Sequence, residues 1–169
     1  MRIETDRLVL RRIDARDFAD FCEYYGDAEV SRWLLGRDAD DATIRAAFDF
    51  NMGLDVCFSV VLKATGRVIG NVHFANIAEG RLAEVGYVLH PNYWGLGLMA
   101  EAMRAVTNFA FSNIGLMLLR AVTEAHNDAS INLLRRCGFE HEADITDYAY
   151  GGRAADVCFY SIRNAGGVS

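Results

Sequence analysis

The sequence holds a single proline, Pro91, and no CxxC pair among its four cysteines. Cys22, Cys57, Cys137 and Cys158 stand far apart, and the last three lie inside apolar stretches. Buried free thiols and a reducing, cytoplasmic setting are therefore expected. No Cys/His pair has ligand spacing, so neither a zinc site nor any other metal is expected. The apolar runs are much shorter than a membrane span. The opening "MRIETDRLVLRRIDARD" is too charged for a secretory leader. A basic excess is also missing. The net charge is -6, and general nucleic-acid binding needs a basic face. There is no GxxxxGK[ST], which excludes a P-loop. Internal repeats, low-complexity segments and linkers are absent.

What remains is an ordinary globular composition, 52% hydrophobic and 24% charged. Its 169 residues are expected to form one domain, residues 1–169. "RLVLRRI" (7–13) alternates as a strand. Asp14 or Asp17 can cap the helix "ARDFADFCEYY", "DAEVSRWL" reads as a short helical turn, and Asp40 or Asp41 can start a third helix. "VCFSVVLK" and "RVIGNVHF" form a hairpin over Ala64-Thr65-Gly66. "AEVGYVLH" (83–90) is a strand ended by Pro91, and a helical pattern runs from Gly97 to about Ser112. "LRAVTEA" is a strand, and a helix from about Asp128 ends at Gly138. Two strands close the chain around a "GGR" turn, with "NAGGVS" as a frayed tail.

The stretch "YWGLGLMA" (93–100) has the Gly-x-Gly-x-x-Ala form that holds a pyrophosphate at a helix start. A nicotinamide dinucleotide and coenzyme A both fit those letters. The dinucleotide form requires a strand running directly into the first glycine of a parallel βαβ unit. Here "HPNYW" intervenes and hairpin-linked strands precede it, although Glu124 does end the next strand.

Four stretches, in order, carry a resemblance over nearly the whole chain. They are "IETDRLVLRRIDARDFADF", "AEVGYVLHPNYWGLGLMAEAM", "LRAVTEAHNDASINLLRRCGF" and "GGRAADVCFYSI". With them the chain resembles the GNAT N-acetyltransferase superfamily, in its ribosomal-protein N-acetyltransferase (RimJ/RimL-like) branch. The resemblance implies an α/β fold with a mixed, mostly antiparallel sheet, two central splayed parallel strands and flanking helices. It also implies acetyl-CoA as co-substrate. Backbone groups of Val88, Leu89 and His90 would bond the pantetheine arm. The N–H groups of Gly95, Leu96, Gly97, Leu98 and Met99 would hold the pyrophosphate. The chain departs from the family pattern at Asn92, Leu96 and Asn132; the last two remove cations that Arg135 or Arg136 can replace.

The implied reaction is attack of a neutral primary amine on the acetyl thioester. Glu84 heads the central strand and shares a face with Gly86 and Val88. It is a base or a solvated strand-end charge. Ser130 matches the family serine that protonates the departing sulfur, and Asn127 the residue that contacts pantetheine or water. Both also suit the first turn of a helix. An α-amine with pKa near ~8 is already partly neutral at pH 7, whereas lysine at ~10.4 needs more help. The acceptor read here is a protein N-terminal α-amine. The alternatives are a small amine (polyamine, aminoglycoside or amino-acid-like) and a non-catalytic acyl-CoA-binding regulator. A homodimer is expected by analogy only. His73, His90, His126 and His141 stand without an evident carboxylate partner, with His73 a candidate wall of the acceptor pocket. Trp33, Tyr87, Tyr93, Trp94 and Tyr148 read as core or pocket wall.

Overall fold

Period-two patterning builds the sheet strand by strand. The computed structural model describes residues 1–78 and 81–166. A short β1 (Arg2–Glu4) pairs antiparallel with β2 (Leu8–Arg12), whose Leu8 and Leu10 are fully buried. The sequence reading has no β1, because three residues with one apolar side chain carry too little pattern. β3 (Val56–Leu62) and β4 (Val68–Ala78) form the expected hairpin. β5 (Leu82–Leu89), β6 (Leu118–Glu124), β7 (Glu140–Tyr150) and β8 (Arg153–Arg163) complete one sheet in the order β1-β2-β3-β4-β5-β6-β8-β7.

Among the described residues β5 and β6 are the one parallel pair, and they pair only at Leu82–Leu118, Ala83–Leu119 and Glu84–Arg120. Beyond Glu84, β5 stays on β4 as far as Leu89, and β6 stays on β8 as far as Glu124. The two strands therefore splay, and the sheet opens at its centre.

Helices cover both faces. α1 (Phe18–Tyr25), α2 (Ala28–Leu35) and α3 (Asp41–Gly53) lie on one side. There Phe21, Tyr24, Val30, Ile44 and Phe48 pack with Cys57 and Val88 of the sheet. "DAEVSRWL" is thus a full helix, capped by Asp27. α4 (Leu98–Phe109), which runs on through a π turn at Ala110–Ile114, and α5 (Asp128–Arg136) cover the other side. Alternation sorts β3 between the two cores: Val56, Phe58 and Val60 face α4, whereas Cys57 faces α1–α3.

Both open caps resolve by hydrogen bonding. Asp40 caps α3 by accepting the Thr43 N–H at 2.8 Å. Asp14 caps a 3₁₀ turn at Ala15–Asp17 that leads into α1, accepting from Arg16 N at 2.9 Å. Asp17 instead turns inward. It accepts from Arg11 Nη2 at 2.6 Å, Arg11 Nη1 at 2.8 Å, Ser59 Oγ at 2.6 Å and Asp14 N at 2.9 Å. Burial pushes its carboxyl up, but these donors outweigh burial and hold it below its ordinary range. All four cysteines are free; Cys57 and Cys158 are buried, whereas Cys22 and Cys137 are only half-buried. The tail begins tied rather than frayed, since Asn164 N donates to Met117 O at 2.9 Å. Residues 167–169 lie outside the described residues.

Candidate active site

The splay between β5 and β6 opens into a cavity of about 680 Å³ that reaches both faces of the sheet. Alternation along β5 decides which residues serve which face. Val88 packs in the α1–α3 core, so Glu84 and Gly86 lie on that side. Val85 and Leu89 pack in the α4 core, so Tyr87 lies on the other. Glu84 and Ser130 both line the cavity, from opposite faces of the sheet.

On the α4 side, the glycine stretch bends twice through the left-handed region, with φ +75° at Gly95 and +73° at Gly97. A β-carbon disfavours that conformation, so glycine is needed for the turn into α4. The N–H groups of Gly95, Leu96, Gly97, Leu98 and Met99 donate to no main-chain carbonyl among the described residues. They form an open ring of donors at the positive end of a twelve-residue helix. Trp94 beside them is 37% exposed rather than packed away, and its indole N–H is pinned to Leu89 O at 2.7 Å.

Two cations bear on this loop. Arg7, which the sequence reading passed over, reaches from before β2. It donates from Nη1 to Leu96 O at 2.9 Å and from Nε to Glu101 at 2.7 Å. Of the open pair Arg135 and Arg136, Arg136 lines the cavity, while Arg135 lies over the Tyr160 ring at 5.9 Å. Asn127 caps α5, accepting the Ser130 N–H at 3.0 Å, and both line the cavity. Ser130 Oγ lies 2.6 Å from Tyr87 Oη, a pairing that a separation of 43 positions along the chain hides from any local reading.

On the α1–α3 side, Glu84 accepts from Asn76 Nδ2 at 2.6 Å. Asn76 sits at φ 50° where the β4–β5 register shifts between Ala75 and Ala78. This irregularity beside the site aims the amide at the carboxylate. His73 lines the cavity with its ring over Gly86, where an added β-carbon would meet Nε2 and Cε1 at 2.5 Å. Burial pushes His73 down to about 4, so the ring is neutral at pH 7. Its Nδ1 is buried and has no hydrogen-bond partner among the described residues. Trp33, Leu34 and Tyr148 add apolar wall. Glu124 also lines the cavity, but it is paired with Arg153 from the β7–β8 turn. That turn docks on α2, with Gly151 so close to Leu34 O that a β-carbon would collide with it.

Of the main-chain groups expected to serve the cofactor, His90 N already donates to Ile69 O at 2.8 Å, and His90 O accepts Tyr93 N at 3.0 Å. Leu89 O is taken by Trp94. The histidines also need a correction. His141 does have a carboxylate partner, Asp144 Oδ1 at 2.7 Å, and with Cys158 the ligand atoms of all three lie within 4.8 Å of one another. Spacing along the chain misses this group because Cys158 arrives by strand pairing, opposite Asp144.

These features agree with what similarity to known proteins shows. The Acetyltransferase (GNAT) domain model matches residues 7–140, and the chain belongs to that family of N-acetyltransferases, which move an acetyl group from acetyl-CoA to an amine. It is similar to the uncharacterised N-acetyltransferase p20 of Bacillus licheniformis, at 32% identity over 166 residues, 94% of this chain and 93% of that one. It is similar to the [ribosomal protein uS5]-alanine N-acetyltransferase of Escherichia coli, at 28% identity over 88% of this chain and 82% of that one. Its fold matches the crystal structure of a GNAT-family acetyltransferase from Bacillus anthracis, with a TM-score of 0.87 at 24% identity, covering 96% and 98% of the two chains. No helix among the described residues is long and apolar enough to cross a membrane.

Proposed function

We propose that this enzyme acetylates a primary α-amine, with acetyl-CoA entering from the α4–α5 face and the amine from the α1–α3 face. The observation that carries the reading is the break in pairing after Glu84. It opens the sheet between a carboxylate on one face and a hydroxyl on the other. A thioester lying in that gap has its carbonyl carbon exposed toward Glu84 and its sulfur toward Ser130. The open N–H groups of residues 95–99 take the pyrophosphate, and Arg136 adds positive charge near the phosphates. His90 N–H points to β4, so strand alternation turns the main-chain groups of Tyr87 and Leu89 toward the gap. We assign the pantetheine contacts to that edge, with Val88 packing behind it.

In the transfer, the amine lone pair attacks the carbonyl carbon. Glu84, held by Asn76, takes the amine proton directly or through water. The C–S bond then breaks, its electron pair goes to sulfur, and Ser130 supplies the proton that makes the free thiol. An α-amine suits a single carboxylate, since its pKa near ~8 leaves part of it neutral at pH 7. The acceptor side also speaks against a polycation. Its walls are apolar and aromatic, and the charge of Glu124 is cancelled by Arg153.

Titration calorimetry with acetyl-CoA, coenzyme A and NAD in parallel is the first test. Acetyl-CoA and coenzyme A are expected to bind and NAD is not; no binding of acetyl-CoA would sink the reading of the glycine loop. Turnover with an alanine-terminated peptide is then expected to exceed turnover with spermidine. A preference for spermidine would return the acceptor to the small-amine alternative.

A further inference from the structure

Tyr87 sits on the cofactor face of β5, three residues beyond Glu84, the last residue of β5 that pairs with β6. Its phenol oxygen reaches α5 and lies 2.6 Å from Ser130 Oγ. Among the described residues no other group hydrogen-bonds that serine hydroxyl. Asn127 binds the Ser130 N–H, fixing the main chain but leaving the side chain free to turn. A serine in the first turn of a helix can also swing back onto nearby main-chain groups, where its proton would be useless to a sulfur in the gap.

We propose that Tyr87 is a positioning residue for Ser130: its phenol donates to Oγ and thereby aims the serine O–H into the gap, toward the departing sulfur. This rests on the reading of Ser130 as the proton donor. A hydroxyl has one hydrogen and two lone pairs. The phenol is the more acidic partner and the better donor, so it occupies a serine lone pair and leaves the serine hydrogen unengaged. Burial holds the phenol proton on well above its ordinary range, so this donor is present at every working pH. As the C–S bond breaks, sulfur receives the electron pair and then the Ser130 proton. Solvent replaces the serine proton as it leaves, so no free alkoxide forms, and the Tyr87 hydrogen bond stabilises the charge that develops on the serine oxygen during the transfer. The net change is amine plus thioester to amide plus thiol, with the amine proton leaving through Glu84.

The test is a double-mutant cycle on the full chain with its best acceptor. Ser130→Ala is expected to lower kcat about 100-fold. Tyr87→Phe, which removes one oxygen and keeps the ring, is expected to lower kcat about tenfold, the worth of one good hydrogen bond. Both are expected to leave KM and the coenzyme A Kd within about twofold, and the double variant is expected to be no slower than Ser130→Ala alone. Ser130→Thr, which restores a hydroxyl, is expected to recover activity that Tyr87→Phe then removes. If Ser130→Ala is slow while Tyr87→Phe keeps wild-type kcat, the positioning role is lost and the serine role stands. Multiplying losses in the double variant would also overturn it, because Tyr87 would then act by another route. Wild-type kcat in Ser130→Ala removes the reading of Ser130 itself.

Discussion

His73 illustrates how a single side chain can shape a site without touching the reacting atoms. The Cε1–Nε2 edge of its ring fills the space where Gly86 has no β-carbon, and burial holds the ring neutral down to about pH 4. An unfolded histidine titrates near ~6.5. Because the folded value is depressed, the stabilisation is complete above the unfolded value. It is lost as pH falls from about 6.5 toward 4, and no more is lost below that. A shift of that size is worth roughly 3 kcal/mol, at about 1.4 kcal/mol per pH unit. Urea denaturation of wild type and His73→Phe at pH 7 and pH 4.5 checks this. Wild type is expected to lose about 2–3 kcal/mol more than the variant, whose ring fills the same space without titrating. Equal losses would mean that the imidazole is solvated and the cavity wall is more open than it looks.

At the scale of elements, the turn into α4 joins two demands at one glycine. Gly97 sits at φ +73°, and its N–H, which donates to no main-chain carbonyl among the described residues, is the one the proposed function gives to a phosphate. An added β-carbon meets only Arg7 Nη2, at 3.7 Å, so the cost of Gly97→Ala is conformational rather than a clash. That cost is about 1–2 kcal/mol. The loop can escape it only by rotating the peptides that carry the donors. Gly97→Ala is therefore expected to weaken coenzyme A binding by about fivefold to thirtyfold in calorimetry, following the same 1–2 kcal/mol. An unchanged Kd would show that the anion is held elsewhere, with Arg136 and Arg7 the first places to look. Arg7 ties Leu96 O and Glu101 together, so the loop is braced by the first residues of the chain.

For the molecule as a whole, the acceptor side is closed by segments more than a hundred residues apart. The Gly151-Gly152 turn between β7 and β8 docks against the end of α2, and Arg153 reaches in to pair with Glu124. Gly151→Ala forces a β-carbon onto Leu34 O and must part the turn from the helix. The expected result is an acceptor KM raised severalfold with the acetyl-CoA Kd unchanged, since the cofactor face is remote from that contact. Steady-state kinetics with calorimetry separates the two. A change in Kd of the same size would mean that the two faces of the gap move together.

Most of the strands and helices were legible from the sequence alone, because they rest on short-range rules, whereas acetyl-CoA followed from the resemblance of four long stretches to a family, since the glycine letters by themselves also fit a dinucleotide. Alternation, cap candidates such as Asp40 or Asp41, the Ala64-Thr65-Gly66 turn and the small residues at 95 and 97 each declare themselves within a few positions. β1 escaped because it is too short to carry a pattern, and α2 was underestimated because eight residues leave little periodicity to count. What only the tertiary structure decided are the pairings between side chains that no local pattern brings together. These include Tyr87 with Ser130, Glu84 with the amide of Asn76 at a register shift, Arg7 beneath the glycine loop, and Glu124 neutralised by Arg153. None has a local signature. Each depends on where strand order and the splay after Glu84 bring side chains together, and that is settled by burial of the two cores on either face of the sheet rather than by any neighbouring residue.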